Sequence, residues 1–139
     1  MMSALDISTS AIVAQRTQLD VIAGNIANHD VTSDEFGNPN PYRRRVALLA
    51  SGNPAGGPDA PGVHVAQIVE DASPFGLRWD PYHKDAIQRG DDKGYVRTPN
   101  VNYHTEMVNA MLAARAYEAN ITVMEVAKSM ASTALRLIA

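Results

Sequence analysis

The sequence contains no cysteine. Disulfides, thiolate zinc sites, iron–sulfur clusters and cysteine nucleophiles are therefore excluded. Aromatic residues make up only 6% of the 139 residues, so any core must be built from aliphatic side chains, methionine and alanine. Twelve basic residues against 15 acidic ones give a formal net charge of −3. This balance argues against a protein whose main task is to coat DNA or anionic lipid, because both need a positive surface.

Long apolar runs are also absent. No stretch reaches the roughly 18 consecutive apolar residues that a membrane span requires. Asp6 stands where a signal peptide would carry basic residues, and Asp20 interrupts the apolar segment that follows. We therefore expect no cleaved signal peptide, and any export must use a route that reads another feature of the chain.

Proline and glycine divide the chain into three parts. Residues 29–99 hold all eight prolines and eight of the nine glycines. Because these residues interrupt regular structure, we predict one domain with an insert: residues 1–30 and 100–139 form two helices, and residues 31–99 form a small β-rich or irregular middle segment. The predicted fold class is mainly α, with the two long helices pairing as a coiled-coil-like stem. Short strands are predicted at 42–49, 63–69, 77–79 and 95–97.

The two predicted helices are apolar around most of their circumference. In the first helix the apolar residues recur mainly every seventh position: Leu5, Ile12, Leu19 and Ile26, with Ile22 between them. The second helix should begin after Pro99 with Asn100 as its N-cap. A heptad seam counted from Met107 includes Tyr117, Ile121, Met124, Lys128 and Leu135, and further apolar residues lie outside it at Met111, Leu112, Val126 and Met130.

An ordinary surface helix is apolar along one stripe only. A two-helix hairpin would leave much of this apolar surface uncovered, since each helix covers one face of its partner. We therefore predict that these residues pack against other chains. The alternative is a small self-contained bundle in which the middle segment acts as a lid.

Residues with chemical potential do not assemble into a recognisable catalytic motif. The histidines are dispersed, at His29, His64, His83 and His104, and none has the i, i+4 spacing of a helical zinc site. The glycine-rich stretch 52–62 lacks the ending of a phosphate-binding loop. We expect no metal and no cofactor. A periplasmic or secreted enzyme with a site near Asp80–Asp85 remains an alternative.

The only basic cluster is Tyr42-Arg43-Arg44-Arg45. It is short and lies on an acidic chain, which disfavours nucleic acid as its partner. Because a guanidinium group binds carboxylates and backbone carbonyls well, contact with a protein surface is the preferred interpretation.

Several segments in order resemble the signatures of bacterial flagellar rod and hook proteins. The N-terminal set is Ala4-Leu5-Asp6-Ile7, Asn25-Ile26-Ala27-Asn28 and Tyr42-Arg43-Arg44. The middle set is Val69-Glu70-Asp71, Ser73-Pro74-Phe75 and Asp80-Pro81, which is similar to the proximal-rod members of that family. The C-terminal set is Pro99-Asn100-Val101-Asn102, Glu106-Met107-Val108-Asn109, Ala114-Arg115, Tyr117-Glu118-Ala119-Asn120 and Ala127-Lys128-Ser129-Met130.

The resemblance implies a structural role. Members of this family are axial proteins that are exported unfolded through the flagellar type III apparatus and assemble as a helical tube across the periplasm. The tube serves as a drive shaft of the basal body. The implied partners are copies of the chain itself, the rod proteins FlgB, FlgF and FlgG, and the junction protein FliE.

The resemblance also implies motif and interface roles for Asn25, Asn28, Tyr42, Arg43, Arg44, Pro99, Asn100, Glu106, Arg115, Asn120 and Lys128. A coiled-coil adaptor or a needle-type protein of a related secretion system is the alternative within the structural class.

Overall fold

The computed structural model describes residues 2–57 and 60–138. Met1, Pro58, Asp59 and Ala139 fall within the predicted ranges but lie outside the described residues. A long helix lies at each end of the chain, with four short strands between them. The elements are α1 (Met2–Ala27), β1 (Arg45–Ser51), β2 (Val63–Glu70), β3 (Gly76–Trp79), β4 (Tyr95–Thr98) and α2 (Tyr103–Ile138), and a single 3-10 turn at Pro54–Gly56 separates β1 from β2.

The two helices pack against each other in antiparallel orientation. Asn25 near the end of α1 bonds to Glu106 near the start of α2, and Asn120 further along α2 bonds back to Gln15. Because α2 has 36 residues and α1 has 26, α2 is about 15 Å longer at 1.5 Å per residue. Beyond the Asn120–Gln15 contact α2 continues for 18 residues and α1 for 13, so the end of α2 extends past the start of α1. Among the described residues, neither helix is both long enough and apolar enough to cross a membrane.

Small residues supply much of the buried surface of the helices. Ala11, Ala14 and Ala113 are buried together with Ile22. The predicted heptad seam follows the partly buried side of α2 in its middle part, where Tyr117, Ile121 and Met124 are half-buried, whereas its members Met107, Lys128 and Leu135 are exposed. Ala113, which lies outside the seam, is buried, and alanine allows close helix approach.

The strands form two separate antiparallel sheets of two strands each. In the first sheet Arg45 of β1 lies opposite Glu70 of β2, and the register shifts between Leu48 and Leu49. In the second sheet, Gly76 of β3 lies opposite Thr98 of β4.

The β1–β2 hairpin packs on α1. Ser10 fixes this contact, because its Oγ donates to the Ile7 carbonyl at 2.8 Å and accepts from the Val63 amide at 3.1 Å. Gly62 makes the approach possible: a Cβ at this position would lie 2.5 Å from Ser10 Oγ, and its φ of +149° favours glycine. The middle of the chain is therefore joined to the helices by specific contacts.

The predicted fold class, mainly α with a coiled-coil-like stem and a small β-rich or irregular middle segment, is wrong. Helices account for 47% of the chain, and the middle segment forms two ordered sheets. The physical reason is that α1 has partners on two sides, α2 and the β1–β2 hairpin, so the helix pair is one part of a mixed α and β fold.

Candidate functional site

Asn25 is the centre of a buried polar junction between α1, the start of β1 and the start of α2. Its side chain is fully buried and uses both its amide nitrogen and its oxygen. Nδ2 donates to the Arg45 carbonyl at 2.8 Å and to Glu106 Oε2 at 2.9 Å. Oδ1 accepts from the Arg45 amide at 2.9 Å and from the Tyr42 hydroxyl at 3.1 Å. Asparagine suits this position because it offers two donors and an acceptor that takes two bonds.

Glu106 is the buried charge of the junction, with 1% of its side chain exposed. Arg44 neutralises it: Nε lies 2.9 Å and Nη2 lies 2.8 Å from Glu106 Oε1. Nη1 of Arg44 also lies 3.3 Å from Asp71 Oδ2, in the loop after β2. In the described part of the chain, every buried side-chain nitrogen or oxygen has a hydrogen-bond partner. Complete pairing is what allows a carboxylate to be buried.

The electrostatics of the junction favour the charged form of its ion pairs. Burial acts to lower the pKa of Arg44, but the bonds to Glu106 and Asp71 together outweigh it and raise that pKa. The backbone amide of Ser73, then the Ser73 side chain and Arg44, hold the pKa of Asp71 below its usual value. Burial raises the pKa of Tyr42, whose hydroxyl thus stays a donor to Asn25.

Asn100 has a different role from the one predicted. Its Oδ1 accepts from the Arg44 amide at 2.8 Å, and its Nδ2 donates to the Asp71 carbonyl at 3.0 Å. Asn102 caps α2 instead, because its Oδ1 accepts from the Thr105 amide at 3.1 Å. The N-cap prediction for Asn100 is therefore wrong by two residues, and Asn100 joins the segment before α2 to β1.

Arg43 also makes its contacts within the chain. Its Nη1 donates to the carbonyls of Asp71 and Ser73 at 3.0 and 3.2 Å, and its guanidinium lies 4.3 Å from the centre of the Phe75 ring. The basic cluster is thus attached to the loop after β2. Asp71 and Ser73 are members of the junction that the predicted residue set lacks, and the sequence signal available for them is the short Asp-x-Ser turn.

The other predicted motif residues lie apart from the junction. Asn28 Nδ2 donates to the Gly24 carbonyl at 2.8 Å, and Pro99 is buried. Asn120 Nδ2 donates to Gln15 Oε1 at 3.1 Å and so connects the helices midway along α1. Arg115 and Lys128 are exposed on α2, and Arg115 pairs with Glu118.

The predicted packing residues fall into two groups. The first group is buried or half-buried and consists of Leu5, Ile12, Leu19, Ile22, Ile26, Tyr117, Ile121 and Met124. Those exposed are Met107, Met111, Leu112, Val126, Met130 and Leu135. The first group packs within the chain, and the second is available to other molecules. A role of either group in contacts between subunits stays a prediction.

An exposed apolar ridge runs along α2 on the side away from α1. We call it the α2 ridge, and it consists of Val108, Leu112, Ala119, Val123, Val126, Met130 and Leu137. Successive members are three, four or seven residues apart, which places them on one helix face. Val108, Ala119, Val123 and Leu137 are absent from the predicted packing set, although the same spacing in the sequence identifies them.

The region of the alternative enzyme site contains a second buried carboxylate. Asp85 is buried, and its Oδ2 accepts from the Thr32 hydroxyl at 2.7 Å. His83 Nδ1 accepts from the Asp85 amide at 3.1 Å. These contacts connect the β3–β4 loop to the segment after α1. No group of three or more His, Asp or Glu residues suited to a metal ion occurs within residues 2–57 and 60–138.

Comparison with known proteins places both ends of the chain in one class. The family model described as "Flagella basal body rod protein" matches residues 5–33. The model described as "Flagellar basal body rod FlgEFG protein C-terminal" matches residues 92–137. The matched segments cover most of α1 and α2, so both helices of the pair lie in regions that resemble flagellar rod proteins.

Curated relatives identify the family within that class. The chain is 43% identical to the flagellar basal-body rod protein FlgC of Borreliella burgdorferi, over 98% of this chain and 96% of the relative. It is 38% identical to FlgC of Bacillus subtilis, over 96% and 95% of the two chains, and 39% identical to FlgC of Escherichia coli O6:H1, over 99% and 97%. The chain belongs to the FlgC family and is a structural subunit of the flagellar basal-body rod. The adaptor and needle-type alternatives are set aside.

Proposed function

We propose that the chain polymerises in the proximal rod, as part of a helical tube that crosses the periplasm and transmits torque. In this role it acts without catalysis and without a cofactor. It reaches the rod through the flagellar type III export apparatus, with no cleaved signal peptide. Its neighbours are copies of itself, the rod proteins FlgB, FlgF and FlgG, and FliE.

The observation that carries the proposal is the α2 ridge. Leu112 is 65% exposed, Met130 is 58% exposed and Leu137 is 84% exposed, on a helix face that α1 does not cover. Full burial of such a side chain contributes about 1.5–3 kcal/mol, so covering several of them supplies a large driving force for association. Contiguous exposed apolar surface of this kind marks a protein interface.

The buried junction supports the mechanical part of the proposal. Residues of α1, β1 and α2 meet in it through short, paired hydrogen bonds around Asn25, Arg44 and Glu106. A force on the helices therefore reaches the β1–β2 hairpin through bonds that cannot lengthen without leaving a buried charge unpaired. Rigid transfer within each subunit is what a rotating shaft requires.

The predicted interface residues act in two different ways. Arg115 and Lys128 are exposed at different positions around α2, where they contact neighbouring subunits. Asn25, Tyr42, Arg43, Arg44, Asn100 and Glu106 act indirectly, because they fix the geometry of the helices on which the contact residues lie.

The test is a double variant of the ridge, Leu112→Gln with Met130→Gln. Because both side chains are exposed, we expect an unchanged far-UV circular dichroism spectrum and an unchanged thermal midpoint of the monomer. Rod assembly should be lost, which is measured as the absence of swimming and of complete basal bodies in electron micrographs. The matched control is Ser132→Gln, an exposed polar position on the same helix outside the ridge. Swimming of the double variant at the wild-type rate would contradict the proposal.

A further inference from the structure

A groove lies between the first half of α1 and strand β2. We call it the α1–β2 groove; its volume is about 590 Å³, and its walls include Thr9, Val13 and Thr17 of α1 with Val63, Val65 and Ile68 of β2. Val13 is 62% exposed and Ile68 is 47% exposed, so apolar groups of both walls face solvent.

Among the described residues that line the groove, none is Asp, Glu, Lys or Arg, and the one titratable side chain is that of His64. The polar groups of the groove are engaged locally where they are buried. Ser10 bonds to the Ile7 carbonyl and to the Val63 amide, and a ring nitrogen of His64 lies 2.9 Å from the Gly52 carbonyl. A charged ligand would therefore lose its hydration in the groove without gaining a counter-charge. An uncharged apolar surface can enter the groove without this desolvation cost.

The α2 ridge has the complementary character. None of its seven members is charged, and its central members Val123, Val126 and Met130 form one apolar patch with Thr122 and Ala127. A helix face with residues at intervals of three and four presents a raised row of side chains that packs into a groove. From Ala119 to Leu137 the ridge thus presents a helix face without charged members, and the α1–β2 groove presents a concave surface without Asp, Glu, Lys or Arg.

The two surfaces do not meet within one molecule. Val123, Val126 and Met130 are exposed, while the side of α2 that carries Ala113 and Asn120 faces α1. The groove lies on α1 and β2, on the side of α1 next to the hairpin. Each surface is therefore free to bind the other only in a different molecule.

We propose that the α2 ridge of a second copy of this chain, at Val123, Val126 and Met130, packs into the α1–β2 groove. This inference rests on the proposed function and specifies which surfaces join the copies. Because the ridge and the groove are different patches, the contact is heterologous, and repetition produces an open series of copies unless the rotation closes a ring.

Engineered cysteine pairs test this contact, since the chain has no cysteine of its own. The test variant carries Val13→Cys and Met130→Cys together and is expressed in cells that lack the wild-type chain. After mild oxidation of purified basal bodies, we expect a ladder of dimers and larger multimers of this chain on a non-reducing gel. The matched control carries Val13→Cys and Ser132→Cys, since Ser132 is exposed, lies two residues after Met130 in α2 and is outside the ridge. The control should remain monomeric.

Rods that contain the test variant but give no ladder of this chain overturn the inference. In that case the proposed rod function stands. Absence of the wild-type chain from purified basal bodies overturns the proposed function itself.

A second measurement covers the case in which the cysteine variant does not assemble. Val13→Lys and Met130→Glu should each abolish swimming alone and restore it at least tenfold when combined, whereas Val13→Lys with Ser132→Glu should not. No rescue by the first combination, while both single variants fold, also overturns the inference.

Discussion

The Arg44–Glu106 ion pair contains a buried carboxylate that depends on its partner. Arg44→Ala tests how much this pair contributes to the free energy of unfolding. The substitution leaves Glu106, which is 1% exposed, without the guanidinium that lies 2.8 Å from its Oε1. Removing one partner of a buried ion pair costs about 3–5 kcal/mol. The bond from Arg44 to Asp71 adds about 0–1 kcal/mol, because it is longer and partly exposed.

The matched control is Arg115→Ala. Arg115 also pairs with a carboxylate, at 3.1 Å from Glu118, but the two side chains are 81% and 64% exposed. A surface pair of this kind contributes about 0–1 kcal/mol. Both variants should be compared by urea unfolding of the dilute monomer, followed by far-UV circular dichroism with linear extrapolation.

A double variant separates the loss of packing from the unpaired charge. Arg44→Met with Glu106→Gln removes both charges, so its free energy of unfolding should fall by less than that of Arg44→Met alone. The reasoning is refuted if Arg44→Ala costs no more than Arg115→Ala. It is also refuted if the double variant loses the full sum of its two single variants, because the charges would then be uncoupled.

Two further predictions concern the loop after β2 and the β3–β4 sheet. Asp71 has a lowered pKa in the folded protein, so its stabilising contribution is present above its ordinary value of 3.8 and is lost as the pH falls through the lower folded-state value. The difference in unfolding free energy between the wild type and Asp71→Asn should therefore shrink below about pH 4, and a constant difference from pH 6 to 2 would disagree with this account. Gly94→Ala should cost about 1–3 kcal/mol, since Gly94 has a φ of +84° and an added Cβ would lie 2.7 Å from the Trp79 ring. The emission of Trp79, the only tryptophan, should change as well, and unchanged emission and stability would count against the steric argument.

Local signals in the sequence predict the elements well. The strands predicted at 63–69, 77–79 and 95–97 are each one residue longer in the structure, and the predicted strand at 42–49 is shifted to β1 at Arg45–Ser51. The reason is that β-branched runs bounded by glycine or proline carry their information within a few residues. Pairing is non-local, and for this reason the sequence does not indicate that the four strands form two separate sheets.

In the junction, too, the sequence predicts the local role of a residue better than its distant partners. Asn100 and Asn102 are both good helix caps by residue type, and only the position of β1 decides that Asn100 binds the Arg44 amide instead. The resemblance to rod proteins singled out Asn25, Arg44 and Glu106, but nothing in the spacing of these residues indicates that they share one buried site. The heptad seam includes the half-buried Tyr117, Ile121 and Met124 but not the buried Ala113, because alanines are frequent on several sides of α2 and the period alone does not fix the exact contact side.

The junction also makes the fold depend on a nearly complete chain. Asn25, Arg44 and Glu106 come from three distant segments, and each satisfies a group that another would leave buried and unbonded. A product truncated before residue 106 would keep Asn25 and Arg44 but lack the carboxylate that both bind. Such a fragment lacks the bonds by which Asn25 and Arg44 hold the start of α2 against the end of α1 and the segment before β1.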